Sequence, residues 1–134
     1  MDKEIEIDFV HICENVIVAK NGNLSVINIF KEIITDKLPF IFAQMFVVIS
    51  VKGDEGEYPV NIKIEKKDKT EMVIDFKPIP QMKIPSGTMA TGRFFARFSP
   101  MMFKSFGFYN IGISVGKKHK KIDFEVKKVK TIVE

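Results

Sequence analysis

The sequence predicts an all-β fold in which two antiparallel sheets, with about eight strands in total, pack face to face as a sandwich. Apolar residues recur at every second position through most of the chain, which is the period of a strand with one buried face. These runs are short and end at clusters of Gly, Pro, Asn or Asp. A length of 134 residues, 46% of them hydrophobic, suits one core, so we expect a single domain over residues 1–134.

The first predicted elements are an acidic strand and a hairpin. In the strand, Ile5, Ile7 and Phe9 alternate with acidic residues, and the run becomes apolar on both faces from Val10 to Cys13. We therefore expect it to pass from an edge into the interior of a sheet. Residues 16–19 and 24–30 flank Lys20-Asn21-Gly22-Asn23, and the Asn-Gly pair predicts a tight type I′ turn.

The middle of the chain predicts a central strand followed by a second hairpin. Residues 40–51 are apolar on both faces, which is typical of a strand covered on both sides. Residues 58–65 show the cleanest alternation, and a turn at residues 66–70 leads into the next strand. The side chains predicted to face inward in this hairpin are Tyr58, Val60, Ile62, Ile64, Met72, Ile74 and Phe76, and those predicted to face solvent are Asn61, Lys63, Glu65, Glu71 and Asp75.

The last third predicts a crossing loop and then three strands. Residues 77–92 contain Pro78, Pro80 and Pro85, which cannot donate to a β-ladder, so we expect a loop there. Strands are predicted at residues 93–98, 108–115 and 122–126, the last two joined by a loop over residues 116–120. Residues 101–106 are compatible with one helical turn.

Four segments carry a resemblance to known domains. The order of residues at Cys13-Glu14, at 21–30 and at Leu38-Pro39 resembles a family of uncharacterised prokaryotic β-sandwich domains of unknown function, although Asn23 and Asn28 replace the Lys and Gly of its pattern. Residues 107–126 are similar to the closing hairpin of immunoglobulin-like domains, with Tyr109 at the position of a tyrosine corner. The resemblance implies an immunoglobulin-like sandwich and brings no activity, cofactor or site residue with it.

Composition favours a cytoplasmic protein without a membrane span. Cys13 is the single cysteine, so neither an internal disulfide nor a Cys-x-x-Cys zinc motif can form. The acidic, alternating amino terminus does not read as a signal peptide. The longest apolar stretch, residues 38–49, is interrupted by Pro39 and Gln44 and is far shorter than the roughly 20 residues of a membrane helix.

The sequence offers little catalytic or metal-binding chemistry. His11 and Cys13 share a strand face, but zinc takes three or four protein ligands, and His119 lies among lysines. A buried thiol beside an imidazole explains the pair more simply. Likewise, the acidic residues near Asp54 fit a solvated turn better than a calcium loop, and no nucleophile elbow or phosphate loop occurs. We predict a protein that is not an enzyme and takes no metal, cofactor or small-molecule substrate.

Charge is segregated along the chain. Residues 1–75 hold 9 lysines and 14 acidic residues, a net charge of −5, whereas residues 76–134 hold 12 basic and 3 acidic residues, a net charge of +9. Much of the positive charge lies in a cluster of lysines near the carboxyl end. Such a cluster attracts phosphate, an anionic surface or the acidic half of another copy, or it protects a terminal edge strand from aggregation. The lysines concerned are Lys117, Lys118, Lys120, Lys121, Lys127, Lys128 and Lys130.

The sharpest candidate site is Arg93, Phe95 and Arg97, which share one face of a predicted strand. An aromatic ring between two guanidinium groups suits a protein contact or the stacking of a nucleic-acid base, and an arginine stem covering an outward Phe is the plainer alternative. We predict a module that binds a protein partner or its own copies through this face or an edge strand. The alternative is single-stranded nucleic-acid binding by the basic carboxyl-terminal half.

Overall fold

A computed structural model describes residues 4–77, 82–86 and 90–129, and these residues form 13 strands and no helix. Pro78, Pro80 and Lys130, to which the sequence analysis assigned roles, lie outside the described residues. The strands are β1 (Ile5–Val18), β2 (Leu24–Ile29), β3 (Glu32–Thr35), β4 (Phe40–Phe42), β5 (Met45–Gly53), β6 (Gly56–Tyr58), β7 (Val60–Lys66), β8 (Met72–Phe76), β9 (Met82–Ile84), β10 (Ala90–Phe98), β11 (Met101–Phe103), β12 (Gly107–Val115) and β13 (Lys118–Lys128).

Two main sheets make up the sandwich and confirm the predicted all-β fold. Sheet A has the strand order β10-β5-β1-β2, and sheet B has the order β3-β13-β12-β7-β8. Two short ladders, β11-β4 and β6-β9, lie beside them. All strand pairs are antiparallel except β3 with β13, which is parallel and departs from the wholly antiparallel sandwich that we expected.

The core lies between the inner faces of sheets A and B. Alternate residues of the long strands point into it, as the period of two requires. Its largest fully buried side chains come from both sheets and from the short strands: Met45, Val47, Ile49, Ile62, Ile64, Met82, Ile84, Phe103, Tyr109, Ile111 and Phe124.

The first hairpin forms where predicted, but its turn is different. β1 and β2 pair from Val18 with Leu24, and residues 19–23 make the loop. In that loop the Gly22 N–H donates to the Ala19 carbonyl at 2.9 Å. Gly22 has a φ of +87°, whereas Asn21 is not among the residues with positive φ. A type I′ turn needs positive φ at both central residues, so the predicted two-residue turn was wrong.

The predicted central strand is split in two. Ala43 and Gln44 separate β4, which pairs with β11, from β5. β5 lies between β10 and β1, which confirms its central place in sheet A. Pro59 similarly separates β6 from β7, because proline has no N–H to give to the ladder.

Two segments predicted to lack strands contain them. β9 lies inside the predicted crossing loop and pairs with β6, with Met82 and Ile84 buried. β11 replaces the single helical turn considered for residues 101–106, and Met101 and Phe103 enter the core. Three residues are too few for a two-residue period to be recognised, which is why the sequence did not predict these strands.

Two β-bulges move nearby side chains to the side of the sheet opposite to the predicted one. The β1–β5 register shifts between Ile7 and Phe9, so Phe9 packs outside the main core rather than sharing a face with Ile5 and Ile7. The β7–β8 register shifts at Ile64 and Glu65, which leaves Met72 exposed and turns Glu71 inward. The predictions that Met72 faces the core and Glu71 the solvent were therefore wrong, because an extra residue in one strand inverts the alternation.

Candidate interaction surface

The outer face of sheet A, the side turned away from sheet B, carries the predicted trio. Residues paired across antiparallel strands project on the same side. Three outward rungs run across β10, β5 and β1, and each begins at one member of the trio. They are Arg93–Ser50–Phe9, Phe95–Val48–His11 and Arg97–Phe46–Cys13.

This face has a buried apolar floor of its own. Cys13 and Val48 are 0% exposed and Phe46 is 7% exposed, although no strand of sheet B lies on this side. They are covered by side chains of the β1–β2 hairpin and by neighbouring rings. The covering side chains are Phe9, Val16, Leu24 and Val26.

The β1–β2 hairpin thus leans over the outer face and leaves a hollow beside it. The hollow measures about 370 Å³ and is lined by Phe9, Asn23, Leu24, Val26, Val48 and Arg93. Two other apolar side chains of the hairpin are exposed to solvent: Ile17 is 52% exposed and Ile29 is 50% exposed.

Phe95 lies at the centre of the exposed part of this face. Its side chain is 40% exposed, and its ring centroid lies 6.2 Å from that of Phe46. Arg93 and Arg97 are exposed on either side of it. The Arg97 Nε donates to Gln44 Oε1 at 2.8 Å, and its two terminal nitrogens donate to no acceptor among the described residues. Neither arginine forms an ion pair with a carboxylate in the described segments.

His11 and Cys13, the two residues considered as metal ligands in the sequence, both make structural contacts on this face. The His11 ring stacks on Phe9 with centroids 4.9 Å apart. The Cys13 Sγ contacts the Asn15 carbonyl at 3.4 Å, and burial raises the pKa of this thiol. In the ranges that the structure describes, no group of three His, Cys, Asp or Glu side chains is arranged to hold a metal ion.

The predicted basic hairpin lies on sheet B, apart from the trio. β12 and β13 join through Gly116 and Lys117, so Lys118 and Lys120 lie in β13 rather than in the predicted loop, and Lys121 follows them in the same strand. Among the described residues, β3 pairs with residues 125–128 of β13 only, which leaves the lysine-bearing end with a strand on one side. That position fits lysines that protect an open strand edge.

A second hollow opens on the outer face of sheet B. It measures about 410 Å³, and Gly112, which has no side chain, lies at its floor. The Asn61 side-chain amide donates to Ser114 Oγ at 3.1 Å at one end of it. Its charged lining residues are Lys63, Asp75, Lys77, Lys120 and Lys121.

A buried polar network closes one end of the sandwich. Tyr109 is fully buried, and its hydroxyl lies 2.8 Å from Glu71 Oε1 and 2.9 Å from the Ser105 carbonyl. The contact to a carbonyl four residues upstream is the tyrosine corner that the sequence predicted. Ser105 Oγ donates to Glu71 at 2.8 Å and accepts from Lys66 Nζ at 2.9 Å.

Burial and the network shift two pKa values in opposite directions. Burial, reinforced by the Glu71 carboxylate, raises the pKa of Tyr109 to about 12. Burial alone would also raise the pKa of Glu71, but hydrogen bonds from the Lys104 N–H, Ser105 and Tyr109 outweigh it and lower that pKa. The network therefore holds a neutral phenol beside an ionised carboxylate. Sequence reasoning missed Glu71, because the β7–β8 bulge that turns it inward leaves no signal in the alternation.

The geometry defines a class: a β-sandwich with no helix among its described residues and one specialised apolar and cationic sheet face. The chain belongs to a family of unknown function, DUF6941, whose model matches residues 8–127. This confirms the resemblance to uncharacterised β-sandwich domains. No curated protein matches the chain in sequence.

One solved structure similar to this chain is that of the C-terminal domain of Wzt. The two share 13% sequence identity with a TM-score of 0.50, over 96% of this chain and 75% of that one. At this identity the similarity shows the fold alone. No described segment forms a helix long and apolar enough to cross a membrane.

Proposed function

We propose that the protein is a non-catalytic binding module and that the outer face of sheet A, centred on Phe95, is where it binds another protein. One observation carries the proposal: an exposed aromatic ring lies between two guanidinium groups that have no carboxylate partner among the described residues. Aromatic residues and arginines are the side chains most enriched at the energetic centres of protein interfaces.

The floor under Phe95 supports this assignment. Val48 is buried directly across the ladder from Phe95, and the Phe95 ring centroid lies 6.2 Å from that of buried Phe46, so part of the ring is already packed before a partner binds. The neighbouring hollow beside Leu24 and Arg93 offers a concave place for an apolar side chain of the partner. We further propose an immunoglobulin-like arrangement of the strands, which the tyrosine corner at Tyr109 supports. We also propose a cytoplasmic location, which the single, unpaired and buried thiol of Cys13 supports.

The alternative, single-stranded nucleic-acid binding, draws on the lysine-rich hollow of sheet B. Among the residues that line that hollow there is no Phe or Tyr, His119 is the one ring, and Phe95 lies on the other sheet. Base stacking and phosphate contacts would therefore fall on different surfaces, which weakens this reading. Oligonucleotide titration at low salt tests it, and a Kd no better than about millimolar removes it.

Site-specific photo-crosslinking tests the protein-binding proposal. Benzoylphenylalanine is placed at position 95 and, as a matched control, at position 108, because Phe108 is 53% exposed on the outer face of sheet B. In cells that express the chain, we expect a discrete covalent protein adduct from position 95 and none from position 108. Equal labelling at both positions, or no adduct at position 95, would contradict the proposal.

A further inference from the structure

The open edges of β10 and β3 have complementary side chains. In the described residues β10 pairs with β5 alone and β3 with β13 alone, so each strand has one edge without a ladder. Such an edge presents unpaired N–H and C=O groups and is a template for another strand.

The exposed side chains of β3 and of the residue just after it carry charges opposite to those on β10. Glu32 and Ile34 are exposed at alternate positions of β3, with Ile34 58% exposed, and Asp36 is exposed one residue after the strand ends at Thr35. Arg93, Phe95 and Arg97 have the same spacing on β10. One edge therefore reads acid, apolar, acid, and the other reads base, apolar, base.

We propose that β10 of one copy pairs with β3 of a second copy, so that sheet A of one molecule continues into sheet B of the next. This names a partner for the binding face and rests on the function proposed above. In the antiparallel register, Arg93 lies opposite Asp36, Phe95 opposite Ile34 and Arg97 opposite Glu32. Opposite charges and apolar side chains placed directly across a ladder stabilise it. The pattern is symmetric about its centre, and we choose the antiparallel direction because that ladder is the more stable.

The inward residues agree with the same register. Phe94 and Ala96 pack into the core from β10, and Ile33 and Thr35 are the buried side chains of β3. Pairing Phe94 with Thr35 and Ala96 with Ile33 therefore keeps the inward side chains of both strands on the core side of the extended sheet. A register shifted by one residue would put the arginines opposite these buried positions.

The charged groups retain capacity for these contacts. Glu32 Oε1 accepts from Lys127 at 2.8 Å, which leaves Glu32 Oε2 for an arginine. Asp36 has no ion pair in the described part of the chain. Because the two edges differ, the contact is head-to-tail and each copy keeps one edge for the next molecule.

Sedimentation velocity on charge-reversed chains tests the proposal. We expect the wild-type chain to form larger species as its concentration rises. R93E/R97E removes the basic edge, and E32K/D36K removes the acidic edge, so each should associate at least ~100-fold more weakly. A 1:1 mixture of the two variants retains one intact edge of each kind and should give a heterodimer that grows no further.

Matched reversals elsewhere serve as controls. K118E/K121E and E55K/E57K make the same charge changes at exposed positions outside the two edges and should leave association unchanged. Far-ultraviolet circular dichroism verifies that each variant is folded. If R93E/R97E does not fold, R93Q/R97Q replaces it, with an expected weakening of at least ~10-fold.

A wild-type chain that stays monomeric to millimolar concentration overturns the pairing, as does a mixture that forms no heterodimer. A monomeric chain whose position 95 still crosslinks to a different protein overturns the pairing alone and leaves the proposed function standing. A monomeric chain with no adduct at position 95 removes both.

Discussion

The two outer sheet faces of this sandwich are built differently. On sheet A, the outward residues Phe46 and Val48 are buried beneath a hairpin and an exposed Phe95. On sheet B, two central outward rungs are polar or small, Asp75–Lys63–Gly112–Lys121 and Asn61–Ser114–His119, and the outward Phe108 is 53% exposed rather than covered. One face therefore has a second apolar layer, and the other is directly solvated.

The difference shows that a sheet face buries side chains only where something covers it. The cover on sheet A comes from the same chain, because the β1–β2 hairpin places Val16, Leu24 and Val26 over the floor. It stops short of Phe95, and the uncovered part is the surface that we assign to binding. Sheet B has no such cover among the described residues and no apolar floor on its outer side.

The largest expected effect tests the apolar floor. Phe46→Ala should lower the free energy of unfolding by about 3–5 kcal/mol, because it leaves a cavity beneath the hairpin. Phe108→Ala on the outer face of sheet B should change it by less than about 1 kcal/mol, since Phe108 is 53% exposed. Urea denaturation measures both. Equal losses for the two variants would mean that the outer faces do not differ.

A smaller change in stability is expected when a glycine on each of the two sheets is replaced by alanine. A Cβ at Gly92 of β10 would lie 2.6 Å from the Lys83 carbonyl oxygen, so Gly92→Ala should destabilise the protein by about 1–3 kcal/mol. A Cβ at Gly112 would meet its nearest atom at 3.9 Å, so Gly112→Ala should be neutral or stabilising by up to about 1 kcal/mol. Thermal unfolding distinguishes them, and a tolerated Gly92→Ala would show that β9 is not held against β10.

The smallest effect concerns the polar network at the end of sheet B. Glu71→Gln should lower the free energy of unfolding by about 1–2 kcal/mol at pH 7, because the carboxylate accepts hydrogen bonds from Lys104, Ser105 and Tyr109. The pKa of Glu71 is lowered in the folded state, so its contribution is complete above about pH 4.5 and is lost as the pH falls through the folded pKa.

The difference in the free energy of unfolding between wild type and Glu71→Gln should therefore shrink in acid. Urea denaturation from pH 7 to pH 3 measures this difference. A constant difference would show that ionisation of Glu71 is not what stabilises the network. Glu55→Gln, an exposed carboxylate, is the control and should change stability by less than about 0.5 kcal/mol at pH 7.

Alternation of apolar residues was sufficient to predict the fold and the outward trio. It identified β5 as central and gave the inward residues of β7 correctly, because those strands keep an uninterrupted period of two. The same logic placed Arg93, Phe95 and Arg97 on one face, as the structure shows.

Bulges and very short strands could not be predicted from one sequence. A bulge changes which face a residue takes without changing composition, and this is why Phe9 and Glu71 were assigned to the wrong sides. The acidic edge of β3 did leave a signal, since Glu32, Ile34 and Asp36 alternate. Its meaning required the structure, because only the strand order shows that β3 and β10 both lie at sheet edges.

Cys13 gives the molecule an intrinsic reporter of hairpin motion. Its sulfur is fully shielded under the β1–β2 hairpin, and no other thiol exists in the chain. An alkylating reagent can therefore consume it only during moments when the hairpin lifts or the whole chain unfolds. The labelling rate of the native protein, set beside its global unfolding rate, separates these two events without any introduced probe.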